Sequence, residues 1–485
     1  MASAPEKASS YNLIRGAMAQ SLLATDGYKF SMAEAGWPLR TETFYYSHRK
    51  GGPQVLPVDV PAFVRLLLPR PADDDYRYLA EHSYEMGPGF KAAIVQTDAL
   101  EIRALPRGAV FYDREPVFTV TGPSALVSWL EPLVLMLHYR IQVASRAGEV
   151  RAVTCERQRE IVRETLDAVG LPAPAIEVDS DGYYRRVLAA AKALVEAVKN
   201  PDRIFEVGMR SASCLEQHEI ALRACREAGI RRTSNVLLAR TLGMIPVGTM
   251  GHEHVQRYGA DEPAFRAMRE RRPGRSSYLL DTYDTIRSGI PAAFKLIRED
   301  PGRRDSIRYD SGDKEKQYRT AVELAKSQGI RPVMILEDGW DLALTQRFEA
   351  LREEVGWKPE EQFYGYGGHL VAATAPGTLT RDRVAAVWKL SQTGGTPTMK
   401  FADDANRGKE SVPGRPVLWR RMQGGGPTGI IGQEGEATPA GYEAWGSAPA
   451  DPKYALEFSP ETQALQTKLR RSASGRGAER ERWRT

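Results

Sequence analysis

Cysteine is scarce in this sequence, which carries Cys155, Cys214 and Cys225 and no other. An odd number without framework spacing argues against a disulfide scaffold and for a reducing compartment, and no two lie close enough in sequence to suggest a zinc site. Long apolar runs are missing too. No uninterrupted stretch approaches the ~18 residues of a membrane span, and the opening MASAPEKASSYNLIRG lacks an apolar core of signal-peptide type. A cytoplasmic address without membrane attachment is the expectation. Nor is there a large surplus of one charge. The formal net charge is +5, and much of the basic excess sits in the closing QTKLRRSASGRGAERERWRT, which reads as a solvated tail. Binding to nucleic acid needs basic residues on a folded face, so no nucleic-acid partner is expected. Interior arginines beside glycines suit a small anionic substrate instead.

What is present is an ordinary globular balance, 42% hydrophobic and 27% charged over 485 residues, long enough for a large core and two domains. The first part mixes strands and helices. TETFYYS (41–47) is β-prone, and AVFYDREPVFTVT (109–121) reads as two short strands about a turn. A long buried helix is predicted from Ser124 onward, and TCERQREIVRETLDAVG has helical periodicity with a glycine stop. From about residue 200 the texture changes. Short apolar or β-branched runs recur, each closed by polar residues or glycine and followed by a helical pattern: RIFEVGMR, IPVGTMGH, SSYLLDTYDT, DSIRYDSGD, RPVMILEDGWD and QFYGYGGH. Strand, polar loop and helix in repetition predict a parallel α/β fold. No Gly-x-Gly-x-x-Gly follows the first strand, which leaves a dinucleotide-binding sheet poorly supported. A barrel fits better, because polar residues cluster at the strands' carboxyl ends, where barrels build their sites.

Those ends offer Glu206 and Arg210; Thr249 and His252; Asp281 and Asp284; Arg308, Asp310 and Asp313; Asp338; and Gly365, Gly367 and Gly368. Each has a plainer reading. An aspartate after a strand often caps the next helix, arginines form structural ion pairs, and paired glycines mark turns. Their convergence on one barrel face favours a phosphorylated sugar. Backbone N–H groups of GYGGH can hold a phosphate. Asp338 can accept bonds from ribose hydroxyls. Asp281 and Asp310 can hold Mg²⁺, with a diphosphate completing its oxygen shell. VGTMGHEH (247–254) adds two histidines, His252 and His254, but a His-x-His metal site has no third histidine nearby in sequence.

Several long stretches, correctly ordered and spaced, carry a resemblance. LLATDGYKFSMAEAGW (22–37), EPVFTVTGP (115–123), FEVGMRSAS (205–213), TSNVLLARTLGMIPVGTMGH (233–252), LLDTYDTIRSGIP (279–291), IRYDSGD (307–313) and the closing MKFADD and VPGRPVLWR (399–420) together resemble nicotinate phosphoribosyltransferases and their relative nicotinamide phosphoribosyltransferase. The resemblance implies an irregular α/β barrel with an α/β sandwich domain built from both ends of the chain. Its boundaries would be a flexible N-terminus (1–20), a sandwich segment (21–150), a catalytic barrel (151–395), a return to the sandwich (396–422) and an irregular or disordered basic tail (423–485). It implies a homodimer with active sites completed across the interface, and transfer of a phosphoribosyl group from phosphoribosyl diphosphate to a pyridine nitrogen, feeding NAD synthesis. Mg²⁺ and ATP are the implied cofactor and co-substrate.

Residue by residue, Tyr28 resembles the aromatic residue that a partner subunit stacks on the pyridine. Arg308 resembles the arginine near the base, Glu206 an acidic residue beside it, and Arg49 and Arg157 diphosphate-facing arginines. Asp281 and Asp310 resemble the magnesium-associated carboxylates, Asp338 the ribose-binding one, and Gly367 and Gly368 the 5′-phosphate loop. His252 falls on the family histidine that ATP phosphorylates; His254 has no such counterpart. The family often has two arginines where this chain has Arg210 followed by Ser211. A carboxylate base wants positive charge near the ring, which Arg308 offers, and an amide wants an acceptor such as Glu206. Both readings stay open on the sequence.

Overall fold

A computed structural model describes residues 20–272, 274, 276–401, 410–447 and 450–481, with side chains described to residue 471. Residues 1–19 of the expected flexible N-terminus, residues 402–409 of the closing motif and the last four residues lie outside this range.

The β-prone TETFYYS becomes the strand Thr41–His48, buried along nearly its whole length. It is the middle strand of a five-stranded antiparallel sheet in the order 396–397, 386–393, 41–48, 118–123, 101–104. Phe118–Pro123 is one of the two strands expected in AVFYDREPVFTVT; the other, Val110–Phe111, pairs elsewhere, with Gln54–Val55. The long helix predicted from Ser124 is three short ones, Ser124–Trp129, Glu131–Leu135 and Leu137–Ser145. Pro132 sits at the start of the second, where its missing N–H is harmless, and it prevents one continuous hydrogen-bond ladder.

All six runs predicted as strands after residue 200 form, and Arg232–Thr233 adds a seventh. They make one parallel sheet in the order 245–246, 232–233, 204–206, 362–366, 333–336, 306–309, 277–279. Most connections contain a helix, as parallel pairing requires. Among these, Asn235, Asp313 and Asp341 cap their helices by accepting from the N–H of Leu238, Lys316 and Leu344. Asp284 likewise accepts from the N–H of Ile286 and Arg287. The plainer capping reading therefore describes Asp284 and Asp313. The sheet curls: side chains from each of its strands, Phe205, Arg232, Pro246, Ser277, Ser306, Val333 and Phe363, line a single cavity of about 740 Å³. The pairing does not close, because 245–246 and 277–279 are the two edges. The result is a mixed α/β fold with a half-barrel.

Two segments differ from expectation. The chain returns to the first sheet before residue 396, since Ala386–Thr393 pairs with Thr41–His48. The segment after 423, expected to be irregular, carries Gly429–Gln433, Tyr442–Ala444 and Leu456–Phe458, which join Pro416–Arg421 in a four-stranded sheet before the helix Pro460–Glu481. The four-residue GIIG within this sequence is weakly periodic, and its strand is held by pairing with Pro416–Arg421 rather than by its own pattern. Among the described residues no helix is long and apolar enough to cross a membrane.

Candidate active site

The carboxyl ends of the parallel strands face a cavity of about 520 Å³. Tyr28, Arg49, Arg210, His252, Arg308, Asp310, Asp338, Gly367 and Gly368 all line it. Asp281 lies directly behind His252, with its Oδ1 3.7 Å from His252 Nε2.

His252 is the first residue of the helix His252–Tyr258, so the positive end of the helix dipole disfavours a proton on its ring. Its Nδ1 is 3.1 Å from Thr282 Oγ1, and its Nε2 is 3.3 Å from Asp310 Oδ2 and 3.0 Å from Lys400 Nζ. The ammonium can only donate, and it makes the shorter contact, so Nε2 accepts and the ring proton belongs on Nδ1. Burial and then Lys400 push the imidazole below its ordinary pKa, against the pull of Asp281 and Asp310. A neutral, buried imidazole is the nucleophilic form.

Burial opposes ionisation of Asp310, but Arg308 and then Lys400 overcome it and hold its carboxyl well below the usual range. Asp281 is lowered in the same way, chiefly by Lys400 against its burial. Lys400 Nζ lies 3.2 Å from Asp281 Oδ2, which also accepts from the Ser311 hydroxyl. Among the described residues, Asp281 Oδ1 is buried without a hydrogen-bond partner. One ligand atom each from His252, Asp281 and Asp310 lies within 4.8 Å of the others. Two ionised carboxylates, one with an unused buried oxygen, are donors that fit a hard divalent cation.

Tyr28 reaches this region because two backbones touch. A Cβ on Gly248 would lie 2.2 Å from the carbonyl carbon of Gly27, and one on Gly27 would lie 2.3 Å from the Val247 oxygen. Only glycine fits at either place. The contact seats the helix Gly27–Met32 against the loop that leads to His252. The Tyr28 hydroxyl donates to Glu131, and the Arg210 guanidinium carbon lies 5.5 Å from its ring centre. Lys29 Nζ sits 2.6 Å from both Glu131 Oε2 and Glu253 Oε1, all three buried. Arg257 makes a two-point bond to Glu42 at 2.8 and 2.9 Å. These buried pairs tie the His252 helix to the first sheet. Tyr28 lines the cavity of its own chain.

Tyr28, Val207, Arg210, Arg308 and Glu337 also line the 740 Å³ cavity inside the half-barrel, so they form a collar between the two spaces. Toward the first sheet the lining becomes cationic, with Arg49, Arg381, Lys389 and Lys400. Burial, and then Arg49 and Lys400, push the Lys389 ammonium down to about 7.

Glu206 and Arg157 are brought neither into contact with His252 nor to the cavity lining. Glu206 is fully buried beneath it: Oε1 accepts from Gly208 N at 2.6 Å and faces His218 Nε2 at 3.0 Å, and Oε2 accepts from Thr233 Oγ1 at 2.7 Å. It pins the start of the sheet and has no face for a substrate. Arg157 points along its own helix, with Nη1 2.7 Å from Glu160 and 3.2 Å from Glu164. His254 is buried and its Nε2 lies 2.8 Å from the Ala264 carbonyl oxygen. In the other direction, Glu131, Glu337, Arg381, Lys389 and Lys400 belong to the site or its wall without having been singled out. LEDGWD held the one available signal, a second acid beside Asp338 at a strand end.

No family model matches the chain. Its architecture is that of solved nicotinate phosphoribosyltransferases: the structure from Porphyromonas gingivalis aligns with TM-score 0.57 at 19% identity, covering 81% of this chain and 96% of that one. Among curated proteins, the chain is similar to a nicotinate phosphoribosyltransferase of Mycobacterium tuberculosis, 29% identical over 283 residues, 56% of this chain and 58% of that protein. The match thus spans little more than half of that relative's length. The bovine nicotinate phosphoribosyltransferase is 25% identical over 430 residues, 84% of this chain and 78% of its own.

Proposed function

We propose that the chain is a nicotinate phosphoribosyltransferase, joining nicotinate and phosphoribosyl diphosphate to give nicotinate mononucleotide and diphosphate in NAD biosynthesis. The observation that carries this reading is the convergence of Tyr28, Arg210, His252, Arg308, Asp310, Asp338 and the Gly367–Gly368 loop on one cavity. The similarity to enzymes bearing that name supports it.

The parts take these roles. Tyr28 and the arginines beside it hold the pyridine with its nitrogen facing the ribose C1. Asp338, at a left-handed φ of 64°, turns the chain at the rim and accepts from the ribose hydroxyls. Gly367 and Gly368 receive the 5′-phosphate. Arg49, Arg381 and Lys389 take up the charge of the departing diphosphate, worth most where water is excluded. Asp281 and Asp310 would hold Mg²⁺, which supplies charge neutralisation for the diphosphate. His252 Nε2 accepts a phosphoryl group from ATP, and hydrolysis of that adduct drives the transfer. The whole is an irregular barrel with a sandwich domain from both chain ends, working as a homodimer in the cytoplasm.

Nicotinamide is the competing base. The acid expected to accept its amide, Glu206, is internally satisfied, which favours nicotinate. The test is one assay: protein, phosphoribosyl diphosphate and Mg²⁺ with nicotinate or nicotinamide, with and without ATP, scored for mononucleotide and diphosphate. Turnover of nicotinamide alone refutes the assignment.

A further inference from the structure

One buried acid of the collar has no role in the scheme above. Glu337 follows the strand Val333–Leu336, is 6% exposed and lines both cavities beside Tyr28, Arg210 and Arg308. The neighbouring strand makes room for it: a Cβ on Gly365 would lie 2.4 Å from Glu337 Cγ. Its contact with Arg308 is one of charge, with Oε2 3.4 Å from Nε, and among the described residues that nitrogen is buried without a hydrogen-bond partner.

The rest of Arg308 is already engaged. Nη1 donates to Thr249 Oγ1 and, at 3.1 Å, to the Met250 carbonyl; Nη2 donates to Asp310 Oδ1 at 3.1 Å. Three of its five N–H donors are thus spent, so its fork is only partly open to a carboxylate ligand. Arg210 is offset by Asp26 at 3.5 Å and Glu131 at 3.7 Å. Glu337 is the collar's one acid among the described residues, and it lines both cavities.

We propose that Glu337 is a specificity-determining residue of the base subsite, its carboxyl meeting the substituent at the pyridine 3-position and setting how strongly the site distinguishes a carboxylate from an amide. This rests on the phosphoribosyltransferase reading. Burial pushes the Glu337 carboxyl up and Arg308 opposes it; in its ionised form it repels a carboxylate of the base and accepts from the N–H of an amide. Glu337 is then a brake on nicotinate and a handhold for nicotinamide, and the arginines of the collar outweigh it.

The experiment compares Glu337→Gln with the parent protein using both bases. The expected result is a shift of the kcat/KM ratio by about tenfold or more toward nicotinate, carried by KM, with the KM for phosphoribosyl diphosphate unchanged. A ratio unchanged within about twofold, both bases losing activity alike, or a shift toward nicotinamide overturns the proposal and leaves Glu337 as the counter-ion of Arg308. If Glu337→Gln does not fold, Glu337→Asp, which withdraws the carboxyl by one methylene, is read by the same ratio. Calorimetric binding of each base to parent and variant reads the same preference without turnover. A parent that makes neither mononucleotide refutes the functional reading, while the binding ratio still judges Glu337.

Discussion

Gly27 and Gly248 are in contact backbone to backbone, with no room for a side chain on either. Through this contact the segment carrying Tyr28 is fixed against the loop carrying His252, so the wall of the proposed base site and the candidate phosphoryl acceptor are set by one joint.

The first prediction concerns that joint. Gly248→Ala forces the Gly27 backbone to move and costs about 1–3 kcal/mol, the usual range for overpacking. The KM for the base rises by about tenfold or more as Tyr28 shifts, since small misplacements at a site cost large factors. Equilibrium unfolding and base-dependent kinetics on the variant check it; unchanged base KM would mean Tyr28 is positioned from elsewhere.

The two histidines of VGTMGHEH separate cleanly. His252→Ala abolishes ATP hydrolysis while some ATP-independent transfer remains. His254→Ala keeps ATP hydrolysis per folded molecule but leaves the Ala264 carbonyl without its partner, a loss of about 1–3 kcal/mol in stability. Phosphate release and chemical denaturation, run on both variants, decide it. Normal ATP hydrolysis in the first variant, or its loss in the second, reverses the assignment.

Asp281→Asn removes one of the two carboxylates assigned to Mg²⁺ and the partner of Lys400. The Mg²⁺ concentration for half-maximal turnover rises by about tenfold or more. A Mg²⁺ titration of turnover measures it, and an unchanged midpoint moves the metal to other ligands.

Acid sensitivity follows from three buried histidines. Burial holds His48 and His138 at about 3 and His254 at about 4, against an ordinary value of 6.5. Because the folded values are depressed, the unfolded chain takes up protons below pH 6.5 that the folded chain refuses. Stability is therefore complete above that pH and falls as pH drops toward the folded values, by about 1.4 kcal/mol per histidine per pH unit. Denaturant midpoints taken between about pH 8 and pH 5 check this, and a flat profile contradicts it.

The parallel sheet was legible because its strands obey a local rule: a short apolar run, a polar end, then a helix. Arg232–Thr233 escaped because two residues carry no periodicity, and its pairing with neighbours makes it a strand. The strand-end residues that line the cavity were legible for the same reason, and Glu206 shows the limit. It sits at a strand end like Asp310, yet its carboxyl turns inward to Gly208, His218 and Thr233. Direction is a tertiary property. Arg157 was lost to acids one helical turn and two turns along its own helix. Lys389 comes from beyond the barrel strands, delivered by a sheet whose register no local pattern specifies, and Lys400 follows that sheet's edge strand Thr396–Pro397.

That sheet has a further consequence, for how the protein is made. Thr41–His48 is bonded on one side to Phe118–Pro123 and on the other to Ala386–Thr393. On the ribosome the first neighbour emerges early and the second only after the entire half-barrel. At about 5–20 residues per second the strand's open flank waits on the order of tens of seconds. A flank presenting TETFYYSH is a template for pairing with another nascent chain. Yield in expression should thus respond to translation speed and chaperone supply more than to the stability of the finished fold, and a chain ended before residue 386 should aggregate rather than fold as a smaller protein.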